Sequence, residues 1–232
     1  MKTLFITATG TDIGKTYVTA QLLRHLRADG IPVRALKPVM SGFDPARPEA
    51  SDAGQLLAAL GEPVTGEALD RISPLRFAAP LAPNMAARAE GRRLMLADLM
   101  AATATGLAAG PGPVVIEGVG GVMSPVAEDA TGLDWLVALG CPAVLVAGSY
   151  LGTISHILTA VAALEARRVP LLAVVVNETA GSSVQLDATC AEVARFLPVA
   201  PILSIRLNMD RSAQVFERIA ALLGLEKSPA AC

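Results

Sequence analysis

The chain alternates short apolar runs with longer segments in which apolar residues recur every three or four positions. Strand-length runs occupy Thr3–Ala8, Val33–Val39, Pro113–Glu117, Ala143–Ala147, Leu171–Asn177 and Pro201–Ile205. Most have the continuous Val/Ile/Leu texture of strands covered on both faces. The 3.6-residue period predicts helices over Gly14–Ala28, Asp52–Leu60, Leu94–Ala109, Leu133–Leu139, Ile154–Arg168, Ser183–Phe196 and Arg211–Leu223. This alternation is the signature of an α/β fold with a mostly parallel central sheet flanked by helices. With 232 residues, about 150 per domain and no linker-like stretch, a single domain over 1–232 is expected. Residues 43–91 are the least regular, with six prolines from Pro45 to Pro83, the texture of an insertion that builds a substrate wall.

Composition narrows the function classes. Hydrophobic residues make up 53% and charged residues 17%, far from the composition of disordered chains. From Cys141 to Leu164 there is no charged residue, a length that could span a bilayer. Pro142, Gly148, Gly152 and the polar residues between them divide it, so a strand followed by a helix is expected. The N-terminal apolar run leads straight into a Gly-containing motif without a cleavage-type region, which points to a cytoplasmic protein with no membrane partner. Lys plus Arg is 19 and Asp plus Glu is 21, and this balance offers no basic excess for nucleic acid. Cys141, Cys190 and Cys232 lack metal-type spacing and read as small buried hydrophobes.

In an open parallel sheet, ligands bind beyond the carboxyl ends of the strands. After the first strand the chain reads Ala8-Thr9-Gly10-Thr11-Asp12-Ile13-Gly14-Lys15-Thr16, which looks like a Walker A phosphate loop opening a helix. In such a loop backbone N–H groups cradle phosphate oxygens, Lys15 reaches the β and γ phosphates and the Thr16 hydroxyl meets Mg²⁺. It departs from GxxxxGK[ST] in having Thr9 at the first glycine position. Lysine usage supports the reading: the chain has fifteen Arg but only four Lys, at 2, 15, 37 and 227. Two of the four, Lys15 and Lys37, fall at the ends of the first two strands, where a compact ammonium is not replaceable by a planar guanidinium. For Lys37 a charge reaching outward to water is the alternative.

Two carboxylates extend the pattern. Asp52 follows Ser51 at a helix start, where it reads either as a cap or as a ligand. Glu117 closes Pro-Val-Val-Ile-Glu ahead of Gly118, Gly120 and Gly121, the Walker B position with Glu in place of Asp. Asn177 ends the fifth strand, where its amide offers a donor and an acceptor to a base edge or closes an Asx turn. His25 and His156, each in an expected helix, read as packing or surface residues, and no Ser-His-Asp or Cys-His pattern occurs.

ATGTDIGKT at 8–16, KPVMSG at 37–42, Ser51-Asp52, PLAPNMAARAEG at 80–91, IEGVGG at 116–121, GSYLGTISH at 148–156 and VVVNE at 174–178 together resemble the dethiobiotin synthetases over nearly the whole chain. The resemblance implies an ATP- and Mg²⁺-dependent cyclo-ligase of biotin biosynthesis, on a P-loop NTPase fold. It would close a ureido ring from 7,8-diaminononanoate and CO₂ through a carbamate and a carbamic-phosphoric anhydride. Lys15, Lys37 and Thr11 would act on the reacting groups. Asp12, Ile13, Gly14, Lys15, Thr16 and Tyr17 would hold nucleotide with Asp52, Glu117, Gly118, Val119 and Gly120. Asn177, Arg206, Leu207 and Asn208 would border the adenine. Thr16, Asp52 and Glu117 would bind Mg²⁺, and Ser41 the diamine substrate. Gly152, Thr153 and Ser155 would meet the substrate carboxylate from the partner subunit, which implies a homodimer with shared sites. Two other readings stay open: a ParA/MinD-like ATPase, which carries a further lysine early in its phosphate loop, and a nonenzymatic nucleotide-binding regulator, which leaves Lys37 and Ser41 idle.

Overall fold

The run Thr3–Ala8 forms the first strand, β1, and Lys15–Ala28 the helix α1 that follows it. In this computed structural model, residues 2–198, 200–207 and 213–225 are described. Strands β2 (Arg34–Leu36) and β3 (Val39–Met40) come next, then helices α2 (Asp52–Leu60) and α3 (Gly66–Ile72). Strand β4 (Leu75–Arg76) and helices α4 (Pro83–Ala89) and α5 (Leu96–Ala108) lead to β5 (Val114–Glu117). A hairpin of β6 (Pro125–Ala127) and β7 (Ala130–Thr131) precedes α6 (Gly132–Leu139) and β8 (Ala143–Gly148). The chain then runs through α7 (Thr153–Ala166), β9 (Leu171–Asn177), α8 (Leu186–Phe196), β10 (Ile202–Ile205) and α9 (Ala213–Leu222).

Six of these strands form one sheet in the order β10-β9-β8-β1-β5-β2, and every pairing in it is parallel. Because side chains alternate across a strand, each strand feeds two cores. Phe5, Ile116, Leu145 and Val174 pack on one face with Trp135, Ile157 and Val193 of the helices. Leu4, Ile6, Val115, Val146 and Val175 pack on the other with Leu22, Leu56 and Phe216. Trp135 sits edge-on to Phe5 with ring centroids 4.9 Å apart. Both faces are covered, which accounts for the near-continuous apolar texture of the strands. No helix among the described residues is long and apolar enough to cross a membrane.

The expected strand Val33–Val39 is broken in two. Leu36 is the last residue of β2 to pair with β5, and the Lys37 N–H turns to donate to the Ile72 carbonyl at 2.8 Å. Pro38 has no N–H to continue the ladder, and Val39–Met40 pair instead with β4 in a separate two-stranded sheet. The irregular region 43–91 is more ordered than its prolines suggest. It contains α2, α3 and α4, the second capped by the Thr65 hydroxyl and the third opened by Pro83. Arg211, placed at a helix start by the sequence, lies outside the described residues, as does Cys232. Cys141 and Cys190 are free thiols, and burial raises both to a pKa of about 11, with Asp187 adding to the effect at Cys190.

Candidate active site

Parallel register brings the first two site residues together. Leu36 of β2 is opposite Ile116 of β5, so Lys37 and Glu117, one step further along each strand, emerge side by side. Strand β1 lies on the other side of β5, with Ile6 opposite Glu117. It runs on to Ala8 and delivers the loop Thr9–Gly14 above the same edge. At the end of that loop Gly14 takes φ +88°, and a Cβ there would run into the Asn177 amide. Glycine at this position therefore serves both the left-handed turn and the close approach. Asp12 has φ 58°, a region that Asp tolerates better than most residues.

A cluster of three charges and a hydroxyl forms below this loop. Lys37 Nζ lies 2.7 Å from Glu117 Oε1, 2.8 Å from Asp52 Oδ2 and 2.9 Å from the Gly118 carbonyl. The Thr16 hydroxyl sits 2.8 Å from Glu117 Oε1 and 3.1 Å from Asp52 Oδ1. Lys37 is 1% exposed and Glu117 0%, whereas Asp52 is 41% exposed. The outward-reaching alternative for Lys37 thus fails. Burial pulls its pKa down, but Glu117 and Asp52 outweigh burial and hold it above the ordinary lysine value. Burial likewise acts to raise Asp52, and Lys37, Thr16 and Lys15 together more than reverse this, leaving it below the ordinary carboxylate value. Among the described residues Lys15 has no such close partner. Burial, then repulsion from Lys37, lowers it to about 8.

The two readings of Asp52 separate in the same way. The cap of α2 is Ser51, whose Oγ accepts from the Gly54 N–H at 3.1 Å. Asp52 is the first helical residue, and its carboxylate is turned to Lys37 and Thr16. Cation binding by this cluster is chemically reasonable. Its Thr16, Asp52 and Glu117 donors are hard oxygens, and Glu117 Oε2 is buried without a hydrogen-bond partner. With only two carboxylates, the set suits Mg²⁺, which keeps waters and substrate phosphate oxygens among its ligands.

An open cleft of about 720 Å³ lies above the cluster, lined by Thr11, Asp12, Gly14, Lys15, Thr16, Lys37, Ser41 and Asp52 on one side. Val119, Gly120, Ser124 and the segment Pro80–Pro83 line the rest. The glycine loop after Glu117 is fixed by Ser124, a residue that motif reasoning missed. Its Oγ accepts from the Gly121 N–H at 2.7 Å, and a Cβ at Gly120, where φ is +61°, would strike that hydroxyl. The only sequence signal is a Ser-Pro pair three residues past the glycines.

Other expected residues lie apart. Asn177 Nδ2 donates to the Ile13 carbonyl at 2.8 Å, and its Oδ1 is buried without a partner. Asn177 thus braces the phosphate loop, and no Asx turn forms. Arg206 donates to Asp187, and the Leu207 N–H donates to Glu178 at 2.8 Å. Asn208 lies outside the described residues. Tyr17 is exposed on α1. Gly152, Thr153 and Ser155 do not line the cleft of their own chain. Thr153 is buried, and its hydroxyl donates to the Gly148 carbonyl at 2.6 Å. Only Gly152 and Ser155 of the three are exposed at this end of α7. His156 lies beside them, 2.9 Å from the Tyr150 hydroxyl.

Residues 2–213 match the family described as an AAA domain. The chain is 56% identical over 201 residues to the ATP-dependent dethiobiotin synthetase BioD of Methylobacterium nodulans, covering 84% of this chain and 89% of that protein. It is 53% identical to the protein of the same name from Phenylobacterium zucineum, covering 84% of each. Among solved structures, a ParA family ATPase from Chlorobium tepidum superposes with a TM-score of 0.52 at 14% identity, over 97% of this chain and 90% of that one. The MinC:MinD complex of Aquifex aeolicus gives 0.52 at 12% identity, over 95% and 88%. These two likenesses establish a shared fold.

Proposed function

The chain belongs to the ATP-dependent dethiobiotin synthetase family, and we propose that it closes the ureido ring of dethiobiotin from 7,8-diaminononanoate and CO₂, releasing ADP and phosphate. The observation that carries this reading is the bonded cluster of Thr16, Lys37, Asp52 and Glu117, with Lys15 beside it, at the floor of one cleft.

The chemistry asks for what these residues supply. One amine of the substrate takes up CO₂ as a carbamate, an anion that must then attack the γ-phosphoryl group, itself anionic. Lys15 and Lys37 lower that repulsion and stabilise the charge spread over the phosphoryl oxygens as transfer proceeds. Thr11 and Ser41, on the cleft wall, offer hydroxyl donors that orient the carbamate. Thr16, Asp52 and Glu117 would hold Mg²⁺, which when bound neutralises phosphate charge. The second amine of the substrate then attacks the carbamic-phosphoric anhydride, so no protein nucleophile is needed, and the cleft contributes proximity. Asn177 would read the adenine with its free Oδ1, and Arg206, Leu207 and Asn208, which follow β10 in sequence, would border the base.

The likeness of GSYLGTISH to the family supports a homodimer in which Gly152, Thr153 and Ser155 serve the partner's site. Thr153 would contribute to the shape of the helix start, since its hydroxyl is already engaged. The test is phosphate release from ATP with bicarbonate and diamine supplied separately and together. Release that requires both, with dethiobiotin detected by mass spectrometry, is expected. Release independent of the diamine would return the chain to the ATPase or regulator readings.

A further inference from the structure

An ammonium has three hydrogens, and those of Lys37 face three acceptors: Glu117 Oε1, Asp52 Oδ2 and the Gly118 carbonyl. Nothing is left over for a phosphoryl oxygen. The carboxylates it binds are the same ones that the Thr16 hydroxyl reaches. In the structure, therefore, a side-chain cation sits among the oxygens that the proposed reaction requires for Mg²⁺. Two cations cannot share those oxygens at hydrogen-bond distance without strong repulsion. Lys37 also lines the cleft beside Lys15 and Ser41, so its four-carbon stem has open space to swing into. Its backbone is pinned by the bond to Ile72 and by Pro38, which confines such a swing to the side chain.

Resting on the reading of Thr16, Asp52 and Glu117 as cation ligands, we propose that Lys37 is the resident cation of the free enzyme, and that it yields the position only when a divalent cation arrives with nucleotide. Release from the carboxylates is what frees the Lys37 hydrogens for the transferring group. Metal loading and the arming of Lys37 are then one event, and the free enzyme does not take up the metal by itself. The consequence has an unusual sign: removing a positive side chain creates a metal site in the nucleotide-free protein.

The experiment is titration of nucleotide-free protein with Mn²⁺, followed by the electron paramagnetic resonance of the free ion. Lys37→Gln should bind Mn²⁺ at least about tenfold more tightly than wild type, since one competing unit charge has been removed at contact distance. Its melting temperature should also rise with added Mn²⁺, while that of wild type stays put. Equal affinities, or no binding by either protein, would overturn the proposal. If Lys37→Gln does not fold, the wild-type chain still decides the matter, because with only four lysines its ¹⁵N-labelled ammonium signals are assignable. One exchange-protected ammonium is expected, unchanged by Mg²⁺ alone and shifted by Mg²⁺ with ADP. A shift with Mg²⁺ alone, or no protected signal, would rule the device out. A third arm tests the underlying reading. If Mn²⁺ with ADP binds Glu117→Gln as tightly as wild type, these residues are not the cation ligands and the proposal falls with that reading. If that arm holds while the free-protein titrations coincide, only the blocking role of Lys37 is lost.

Discussion

Glu117 Oε1 and Lys37 Nζ lie 2.7 Å apart, on the ends of neighbouring parallel strands, with almost no contact with solvent. A buried pair of this kind adds little net stability while intact but is costly to break, because the survivor is left charged and unpaired. The chemistry proposed for Lys37 and the stability of the fold therefore depend on the same contact.

Lys37→Gln is expected to lower the rate of phosphoryl transfer by about 10²–10³, the range for losing one transition-state donor. It should also destabilise the fold by roughly 3–5 kcal/mol, the range for stripping a buried charge of its partner. Single-turnover kinetics and urea denaturation measure the two. A variant with normal stability would mean that the Lys37–Glu117 pair does not hold the fold.

Ser51 and Asp52 should separate by substitution. Ser51→Ala removes the cap of α2 and should cost about 1 kcal/mol without changing the Mg²⁺ requirement. Asp52→Asn keeps the shape and the contact with Thr16 but removes an anionic ligand, so the Mg²⁺ concentration for half-maximal activity should rise while the melting point changes little. The reverse pattern would make Asp52 a structural residue.

The lowered pKa of Lys15, about 8, gives nucleotide binding a pH dependence. Between about 8 and the ordinary value of 10.5 the unfolded chain holds a proton at Lys15 that the nucleotide-free fold has lost. Stability attributable to this group accordingly rises with pH through that window, and the cost of burying the charge is felt below it. Phosphate needs the charged form, so ADP affinity should be flat from pH 6.5 to 7.5. Above about 8 it should fall by up to tenfold per pH unit. Calorimetry in buffers of different ionisation enthalpy should detect proton uptake on ADP binding above about pH 8 and none near pH 7.

A shared active site should reveal itself by complementation. Ser155 is exposed where Thr153 is buried, so Ser155→Glu places repulsive charge at the helix start without disturbing the core. Mixed with Lys15→Gln and allowed to exchange fully, it should restore about a quarter of wild-type activity, because half of the dimers are mixed and each holds one intact site. No recovery after verified exchange would place the whole site within one chain.

Much of this arrangement was legible in the sequence. The six strands of the central sheet stand where their apolar runs put them, because strands covered on both faces leave an unbroken Val/Ile/Leu record. The exception, Val33–Val39, kept that record through Lys37, and only Pro38 hinted that pairing stops. The helices α3 and α4, seven residues each, are too short for periodicity to stand out. Thr65 and Pro83 at their starts were the available signals. The position of Lys15 followed from its motif. That Lys37 binds Glu117, eighty residues away in sequence, depends on which strands are neighbours and in what register, and this is a property of the sheet that no local pattern carries. The same is true of Ser124, whose role exists only because Gly120 turns back over it.

The break between β2 and β3 divides the chain into parts that could be changed independently. The side chains proposed for phosphoryl transfer are located by residue count along β1, β2 and β5, whereas Pro80–Pro83, also on the cleft wall, follows the small β3–β4 pair. An engineer seeking a different diamine would therefore vary the cleft-lining Pro80, Leu81 and Ala82, keep Ala86 and Ala87 of α4, which are buried in the core, and leave the strand ends alone. Loops could change length there without moving Lys37 relative to Glu117, while a single deletion inside β2 or β5 would turn one of the two away from the other.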